Sequence, residues 1–466
     1  MPYWGVTADP RRCRLLGLAG SLVLAVGGLA SGAGPVDAPR ALADLGLFLA
    51  YFGMVLLIAA WLLLGLTLRA ADAEQRPGPR WLRTTLVWWA LPLVLGPPLF
   101  SRDVYSYLAQ GALVRAGVDV YTNGPAALGG PLAAQVPGVW QHTPAPYGPV
   151  FLLLARATER ITGSGLGAGV VGLRLVALLG TAVLAALLPR LARACGVEPA
   201  AALWLGALNP LLLFHLVAGA HNDAVLLGLL VAGLVAARRG YPMLGVVLVT
   251  LAALVKLPAA LGLLAVALLW HHRLTGRARL LRALACTAAV AGTTTFLVTL
   301  VTGTGYGWVH ALAVPVSAGS WSLTSALGRA CGALLPGLAA LAVTVWRWLG
   351  LAASAAAVTA LAARVRRHGL GVVYALGLGL AAVVALGPAI RPWYALWGVV
   401  LIAAAAPEGR VRRWAPAVSG LLALVVVPDG FMPSREQLVL AVAGGTLAVA
   451  VVCCLWLITG LRTEQF

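Results

Sequence analysis

Long runs of apolar residues restrict the fold of this chain more than any other feature. A helix that crosses a bilayer core of about 30 Å needs about 20 predominantly apolar residues. Hydrophobic residues make up 61% of the 466 residues and charged residues only 10%. The apolar residues gather in runs of spanning or nearly spanning length, at 15–32, 45–68, 84–100, 168–189, 201–219, 223–237, 242–255, 258–270, 283–302, 336–361, 370–388, 393–406, 414–427 and 437–459.

These runs predict an all-α polytopic membrane protein with about fourteen transmembrane helices. We expect residues 1–466 to form a single membrane domain, without a soluble domain. The longest stretch between two runs, 101–167, is predicted to be an outer loop. Helical periodicity at Asp103–Ala116 and Val150–Ile161 predicts two helices that lie along the membrane interface, with turns between them at Asn123–Pro125, Pro137–Gly138 and Pro144–Pro149.

Basic residues indicate the orientation of the chain. The formal net charge is +19, but the arginines stand in short clusters between apolar runs. That pattern argues against nucleic-acid binding and follows the positive-inside rule. If every run crosses a plasma membrane, both termini and all clusters are cytoplasmic: Arg11–Arg14, Arg69–Arg83, Arg190 and Arg193, Arg238 and Arg239, Arg273–Arg282, Arg364–Arg367, Arg410–Arg413 and Arg462.

The alternation of sides requires two short crossings at 242–255 and 258–270, with a turn at Lys256 and Pro258. Lys256 then faces the non-cytoplasmic side. The same alternation places further polar groups on that face, which we take as the side of the active site: Asp103, His221–Asp223, 303–335, Arg391 and Asp429.

Asp103 is the leading candidate for a catalytic group, because a carboxylate beside a membrane is costly without a function. It could act as a general base that accepts a proton from a hydroxyl nucleophile. The alternative is structural: Ser101 caps a helix, and Asp103 complements the dipole in its first turn.

Aromatic and polar residues of the loop form a second candidate group. Singly, such aromatics are typical interface anchors. As a group they could hold a sugar ring by stacking and hydrogen bonds: Tyr105, Tyr107, Tyr121, Asn123, Trp140, Gln141, His142 and Tyr147.

His221, Asn222 and Asp223 precede an apolar run and therefore fit a helix start, with Asn222 or Asp223 as the cap. The alternative is that His221 or Asp223 contacts the headgroup of a donor. No third ligand lies nearby in sequence, so we assign no metal site.

Lys256 is the only lysine of the chain, and Arg391 lies in a different predicted outer loop. Both could be membrane anchors. We favour a shared role, in which the two cations bind one phosphate. The sequence has neither a GxxxxGK[ST] nor a GxGxxG loop, which argues against nucleotide binding. We expect no cofactor, while a need for a divalent cation stays open.

Six segments together resemble the actinobacterial polyprenol-phosphomannose-dependent alpha-1,6-mannosyltransferases. They are Asp103–Gly111, Gly117–Tyr121, Pro144–Pro149, His221–Asp223, Lys256–Pro258 and Arg391–Tyr394. The resemblance implies the GT-C membrane glycosyltransferase fold, with Asp103 as the acidic residue of the first large outer loop. It also implies a polyprenyl-phosphate-mannose donor and a lipid-anchored mannan acceptor, as in lipomannan and lipoarabinomannan assembly.

A lipid phosphate is a good leaving group, so one base and one cationic clamp would suffice for an inverting displacement. We expect Asp103 to be the base, and Lys256 and Arg391 to stabilise the departing phosphate. Sugar and acceptor contacts are expected from the remaining candidates: Tyr105, Tyr107, Tyr121, His142, Tyr147, His221, Asp223, Trp393 and Tyr394.

One part of the GT-C pattern is absent. The chain shows neither a second acid close to Asp103 nor a soluble outer domain that would hold the acceptor. Side chains of the 303–335 stretch could form the acceptor cleft instead: Trp308, His310, Trp321 and Ser322.

Three other hypotheses stay open. The first is a transferase that uses another polyprenyl-phosphate sugar, such as arabinofuranose, with the same base and clamp. The second is a lipid or solute transporter, although the predicted spans hold few ionisable residues, chiefly Arg174 and Arg347. The third is a non-catalytic scaffold.

Overall fold

The structure is a computed structural model that describes residues 9–31, 39–70, 76–163, 165–313, 321–334, 336–430 and 433–463. The described residues form helices and connecting turns, without a β-strand. Six of the described helices are long and apolar enough to cross a membrane: Pro10–Ala30, Arg40–Arg69, Leu166–Ala194, Arg279–Thr302, Ala339–His368 and Arg435–Leu457. The chain is therefore an all-α polytopic membrane protein, as predicted.

The predicted count of fourteen spans is not confirmed. Each apolar run does contain helical structure, but several of these helices are short. Pro242–Ala253 has 12 residues, which at 1.5 Å per residue gives a length of about 18 Å. That length is well below the thickness of a bilayer core of about 30 Å.

The chain divides into two compact units. The first unit comprises Met1–Val104, Ala200–His221 and Arg413–Phe466. Its helices are Pro10–Ala30, Arg40–Ala70, Pro79–Leu95, most of Pro199–Gly206, most of Arg410–Ala423, and Arg435–Thr463, with a wide π-helical turn at Leu212–Ala218.

The second unit comprises Tyr105–Pro199 and Asn222–Arg412. Its helices are most of Asp103–Arg115, Gly130–Ala134, Gly138–Gln141, Pro149–Thr162, Leu166–Ala194, Asp223–Arg239, Pro242–Ala253, Leu261–His271, Arg279–Thr302, Leu323–Leu334, Ala339–His368, Val372–Leu386 and Ala395–Ala405.

Glycines bring the first two helices of the first unit into close contact. A Cβ atom on Gly27 would lie 2.5 Å from the backbone nitrogen of Ala50, and one on Gly53 would lie 2.5 Å from that of Leu24. Small residues at a helix crossing let backbones approach closely, which is how helices associate in lipid. The sequence of both helices therefore requires glycine at this crossing.

Two tryptophans join separate segments of the same unit. The rings of Trp61 and Trp204 stack with centroids 5.2 Å apart. The Nε1–H of Trp61 donates to the carbonyl oxygen of Trp204 at 2.9 Å, and the Nε1–H of Trp204 donates to that of Trp61 at 2.8 Å. Both buried indoles are thus satisfied, as buried polar groups need to be.

In the second unit the helical path breaks at Lys256, as the sequence predicts. Pro242–Ala253 ends, Lys256 is extended with φ −155° and ψ 127°, and Leu257–Ala260 forms a 3-10 turn before Leu261–His271. Proline at 258 favours this break because it has no N–H to donate. The N–H of Val150 donates to the carbonyl oxygen of Leu254 at 3.1 Å, which fixes the start of the helix Pro149–Thr162 beside the segment that leads to Lys256.

Helices are present at Asp103–Arg115 and Pro149–Thr162, close to the bounds predicted from periodicity, while their position along the membrane interface stays a prediction. They lie close together, because a Cβ atom on Gly111 would come within 2.5 Å of the carbonyl oxygen of Ala155. Arg115 also forms an ion pair with the buried Glu159. Between them lie three short helical turns, at Pro125–Leu128, Gly130–Ala134 and Gly138–Gln141; the first and third begin at the ends of the predicted turns Asn123–Pro125 and Pro137–Gly138.

Candidate active site

Asp103 begins a helix with its carboxylate partly exposed. Its backbone N–H donates to Oγ of Ser101 at 3.0 Å, so the predicted cap is present. The Asp103 side chain retains 21% exposure, and its Oδ2 lies 3.7 Å from Nδ1 of His221, which has no exposed surface. Both the structural and the catalytic interpretations of Asp103 are therefore compatible with the geometry, since the cap uses the backbone N–H of Asp103 and not its carboxylate.

His221 lies in an aromatic surround within the first unit. Its ring centroid is 5.9 Å from that of His215, and its backbone N–H donates to the carbonyl oxygen of His215 at 3.2 Å. The ring of Phe100 meets His215 edge to face at 5.7 Å and stacks on Phe214 at 5.0 Å. The sequence left two interpretations of His221, a helix start or a contact with the donor headgroup. In the structure its Nδ1 lies 3.7 Å from the proposed base, and contact with the donor stays a prediction.

The backbone is strained shortly before Asp103 and directly before His221. Among the described residues, Phe100 at φ 65° and Ala220 at φ 53° are the non-glycine residues in the left-handed region. The N–H of Phe100 donates to the carbonyl oxygen of Pro428 at 2.8 Å, which holds that conformation. Strain of this kind persists only where the surrounding structure enforces it, and it concentrates at functional sites.

A buried ion pair dominates the candidate site of the second unit. Asp223 is the first residue of its helix and is fully buried. Its Oδ2 lies 3.0 Å from Nζ of Lys256, and its Oδ1 accepts a hydrogen bond from Nε1–H of Trp397 at 2.6 Å. Asp223 therefore holds Lys256, where the sequence had suggested that each would contact the donor separately.

Three aromatic rings surround the Lys256 ammonium. Nζ lies 4.5 Å from the ring centroid of Tyr394, 5.5 Å from that of Trp397 and 5.8 Å from that of Tyr147. Tyr394 stacks on Trp397 at 4.4 Å. Ammonium groups within about 6 Å of aromatic faces are attracted by the ring quadrupole. This cluster therefore offers favourable contacts to the Lys256 ammonium, whose side chain is only 13% exposed.

Arg391 is the more accessible of the two predicted phosphate ligands. It is exposed, its guanidinium lies 5.7 Å from the ring centroid of Trp140, and it forms no ion pair with a carboxylate of the described residues. Its carbonyl oxygen accepts from the N–H of Tyr394 at 3.0 Å. Tyr394 thus connects Arg391 to the rings around Lys256.

The tyrosines predicted to hold a sugar are mostly packed inside the second unit. Tyr105 and Tyr107 are each 1% exposed. Tyr107 meets Tyr147 edge to face at 5.3 Å and Phe151 at 4.8 Å. In this arrangement Tyr105 and Tyr107 contribute to packing, and sugar contact at these positions stays a prediction.

Tyr121 and His142 differ in accessibility. The hydroxyl of Tyr121 donates to the carbonyl oxygen of Tyr147 at 3.1 Å, and burial raises the pKa of the Tyr121 phenol. His142 is exposed, in a turn whose backbone passes against Gly124. Only His142 of this pair presents its side chain to solvent.

The remaining residues predicted to contact the sugar or the acceptor differ in how far their side chains are exposed. Trp393 is buried and Tyr394 is half-buried. Ser322 is buried and caps Leu323–Leu334, since its Oγ accepts from the N–H of Ser325 at 3.0 Å. The other residues of the predicted acceptor cleft are half-buried or exposed, namely Trp308, His310 and Trp321.

Sequence reasoning missed two residues that organise these sites, Trp397 and His215. Both lie inside apolar segments, where tryptophan and histidine carry no local signal of their own. Asn222 is also buried, and neither atom of its amide has a hydrogen-bond partner among the described residues.

The described part of the chain contains no group of three or more His, Cys, Asp or Glu residues that could hold a metal ion.

Comparison with known proteins gives two matches to family models. The model described as Alpha-(1->6)-mannopyranosyltransferase, N-terminal domain, matches residues 14–272. The model of the MptB C-terminal domain matches residues 322–457. Together they cover both regions that carry the candidate sites.

Several relatives are similar over nearly the whole chain. A probable alpha-(1->6)-mannopyranosyltransferase of Mycolicibacterium smegmatis is 34% identical, over 96% of this chain and 88% of its own. Alpha-(1->6)-mannopyranosyltransferase A of Mycobacterium tuberculosis is 36% identical, over 89% and 84%. Alpha-(1->6)-mannopyranosyltransferase B of Corynebacterium glutamicum is 32% identical, over 90% and 77%. No solved structure matches the chain.

Proposed function

We propose a donor, an acceptor and a mechanism for this chain from the premise that it belongs to the alpha-(1->6)-mannopyranosyltransferase family. The chain is a membrane mannosyltransferase. Its proposed donor is polyprenyl-phosphate-mannose, and its proposed acceptor is a lipid-anchored mannan that it extends in alpha-1,6 linkage. The product would belong to lipomannan and lipoarabinomannan assembly.

The observation that carries the proposal is the partly exposed Asp103 carboxylate, held beside the fully buried His221 at 3.7 Å. A carboxylate in this position can take the proton from the 6-hydroxyl of an acceptor mannose. As that proton leaves, the hydroxyl oxygen bonds to the anomeric carbon of the donor. The bond from that carbon to the phosphate oxygen breaks, and the lipid phosphate departs with the electron pair.

This displacement inverts the anomeric carbon, so an alpha product requires a beta-configured donor. No general acid is needed, because a phosphate is stable as the anionic leaving group. Asp103 then returns its proton to solvent through its exposed side.

Charge on the departing phosphate is assigned to cations of the second unit. Arg391 is exposed and pairs with no carboxylate of the described residues, so it is the proposed first contact for the phosphate. Lys256, with Asp223 as its counter-ion, is the proposed second cation that stabilises the phosphate. The aromatic rings around its ammonium limit the access of water that would compete with the phosphate.

We also propose that the reaction takes place on the non-cytoplasmic face of the plasma membrane, with both termini cytoplasmic. The arginine clusters between apolar runs support this orientation. A polyprenyl-phosphate donor suits that face, because it is carried in the membrane and needs no nucleotide pocket.

The test offers purified wild-type enzyme in lipid nanodiscs three donors with a lipid-anchored mannan: beta-mannosyl polyprenyl phosphate, arabinofuranosyl polyprenyl phosphate, and a nucleotide-linked mannose. We expect transfer only from the first, with a new alpha-1,6 bond seen by NMR of the product. Transfer only from the arabinofuranosyl donor, or from the nucleotide donor without lipid phosphate, would refute the proposal.

A further inference from the structure

Asn222 lies at the start of a helix without serving as its cap. It stands directly before Asp223–Arg239, and its backbone has the helical angles φ −62° and ψ −15°. A capping residue normally has an extended backbone, and its side-chain oxygen accepts from an N–H of the first turn. The Asn222 side chain makes no such bond, so the cap that the sequence allowed at Asn222 is not formed.

The whole amide of this side chain is left without a hydrogen-bond partner. Asn222 is 2% exposed, and neither its Oδ1 nor its Nδ2 is hydrogen-bonded to any of the described residues. A side-chain amide has two N–H donors and a carbonyl acceptor. Folded proteins rarely bury such groups unpaired, because the amide loses its bonds to water and gains none in return.

Asn209 shows how this chain normally buries an amide. It has no exposed surface. Its Nδ2 donates to the carbonyl oxygen of Leu205 at 3.0 Å and to Oγ of Ser419 at 2.9 Å. Its Oδ1 accepts from the N–H of Leu211 at 3.0 Å. The unused amide of Asn222 therefore points to a polar partner that binds from outside the chain.

Neighbouring residues of the second unit indicate which part of a ligand Asn222 would meet. Asp223, the next residue, holds the Lys256 ammonium at 3.0 Å. Consecutive Cα atoms are about 3.8 Å apart, so the Asn222 side chain begins beside the ion pair to which the proposed function assigns the lipid phosphate. The sugar is bonded to that phosphate, and its 2-hydroxyl is the hydroxyl nearest to it.

We propose that the Asn222 amide binds the 2- and 3-hydroxyls of the donor mannose, an inference that rests on the proposed function. These hydroxyls form a cis pair on adjacent carbons of mannose. Nδ2–H of Asn222 donates to one hydroxyl oxygen, and Oδ1 accepts from the other hydroxyl. A sugar without the 2-hydroxyl, or with the opposite configuration at C2, leaves part of the buried amide unpaired and is selected against. Asn222 is thus a specificity-determining residue.

The test measures the binding of donor analogues that cannot react. Each is a beta-mannosyl prenyl phosphonate with a methylene group in place of the anomeric oxygen, and the sugar is mannose, 2-deoxymannose or 4-deoxymannose. For wild-type enzyme in nanodiscs, we expect Kd of the 2-deoxy analogue to exceed that of the mannose analogue about 10- to 100-fold.

Asn222→Leu keeps roughly the size of the side chain and removes the amide. We expect this variant to bind the mannose analogue about 10- to 100-fold more weakly than wild type, and the 2-deoxy analogue no more weakly than the mannose analogue. The ratio of Kd between the 4-deoxy and mannose analogues should be the same in both enzymes. Equal Kd of the mannose and 2-deoxy analogues in wild type, or an undiminished 2-deoxy penalty in the variant, would overturn the proposal.

The melting temperature of the ligand-free protein gives a second readout. An unpaired amide can be replaced by an apolar group at little cost, whereas loss of a paired amide leaves its partners unsatisfied. We therefore expect Asn222→Leu to keep the wild-type melting temperature and Asn209→Leu to lower it. If leucine does not fit at position 222, Asn222→Ala takes its place in both measurements. A melting temperature lowered as far as that of Asn209→Leu would overturn the proposal, since the amide would already have a partner.

These measurements need no mannosyl transfer, so their outcome is separate from that of the donor test. If wild type transfers mannose from the beta-mannosyl donor but shows no 2-deoxy penalty in Kd, only the role of Asn222 is wrong. If wild type transfers no mannose from that donor, the proposed function itself fails.

Discussion

The ammonium nitrogen of Lys256 lies 3.0 Å from Oδ2 of Asp223, a carboxylate without exposed surface. Trp397 donates to the other oxygen of that carboxylate at 2.6 Å. The chain has one lysine, and it is used to neutralise a buried acid at a helix start. Any role for Lys256 toward a phosphate therefore depends on Asp223.

Replacement of Lys256 alone should destabilise the folded protein more than replacement of both Lys256 and Asp223. Lys256→Met leaves the Asp223 charge buried without its cation, and we expect a loss of about 3–5 kcal/mol in the free energy of unfolding. The double variant Asp223→Asn with Lys256→Met should recover most of that loss, because no charge stays uncompensated. Chemical denaturation of the four proteins of this cycle in detergent measures the coupling. If the losses of the two single variants simply add in the double variant, the two side chains are not coupled and the prediction is wrong.

Asp103→Asn should abolish transfer while the protein stays folded. The amide keeps the size of the side chain and the backbone hydrogen bond to Ser101, but it cannot accept a proton from the acceptor. We expect kcat to fall about 10²- to 10⁴-fold. Asp119→Asn is the control, since Asp119 is exposed and its Oδ1 can keep accepting from the N–H of Tyr121. Turnover by Asp103→Asn within about twofold of wild type would exclude a base at this position.

His221→Gln tests whether His221 positions the proposed base. Its ring lies 3.7 Å from Asp103 and is fully buried, so its replacement should misorient the carboxylate. We expect kcat to fall about tenfold with little change in KM for the donor. His272→Gln, at an exposed histidine, should change neither constant. If KM rises and kcat does not change, His221 contacts the donor instead.

Arg391→Gln should weaken use of the donor without loss of stability. Arg391 is exposed and contacts Trp140 at 5.7 Å, so its removal leaves no buried group unsatisfied. We expect a rise in KM of about tenfold for the lipid donor and an unchanged melting temperature. Arg329→Gln removes an exposed arginine from another helix as the control. Equal effects of the two variants would point to a general loss of surface charge.

Gly53→Ala should destabilise the first unit. The added Cβ would lie 2.5 Å from the backbone nitrogen of Leu24, and a backbone atom cannot rotate away as a side chain does. We expect a loss of about 1–3 kcal/mol, read as a lower melting temperature. Gly292→Ala is the control, because a Cβ there meets no atom within 4 Å. A melting temperature of Gly53→Ala at or above that of Gly292→Ala would show that the crossing is looser than described.

Local features of this chain were predictable from sequence because they depend on neighbouring residues. The loop helix at Asp103–Arg115, its cap by Ser101 and the break at Lys256 all follow from periodicity, capping chemistry and Pro258. The count of spans was less predictable, since an apolar run such as 242–255 has the same composition whether or not its helix can cross a bilayer.

Contacts between distant segments could not be predicted in the same way. Asp223 and Trp397 are separated by 174 positions, and Trp397 lies in an apolar run without a polar pattern. Tyr105 and Tyr107 looked like a sugar surface by composition, but their burial depends on how the two loop helices pack. Side-chain type indicates chemistry, whereas tertiary packing decides which groups meet.

The left-handed backbone at Phe100 and Ala220 has a consequence for directed evolution. At both positions, the residue that favours stability should differ from the residue that favours turnover. Holding a non-glycine residue in this conformation costs about 1–3 kcal/mol, so selection for thermal tolerance should enrich Gly at both positions. Selection for turnover should reject it, because Gly would loosen the segments that carry Asp103 and His221. The residues found at these two positions should therefore differ between a library selected for thermal stability and one selected for turnover.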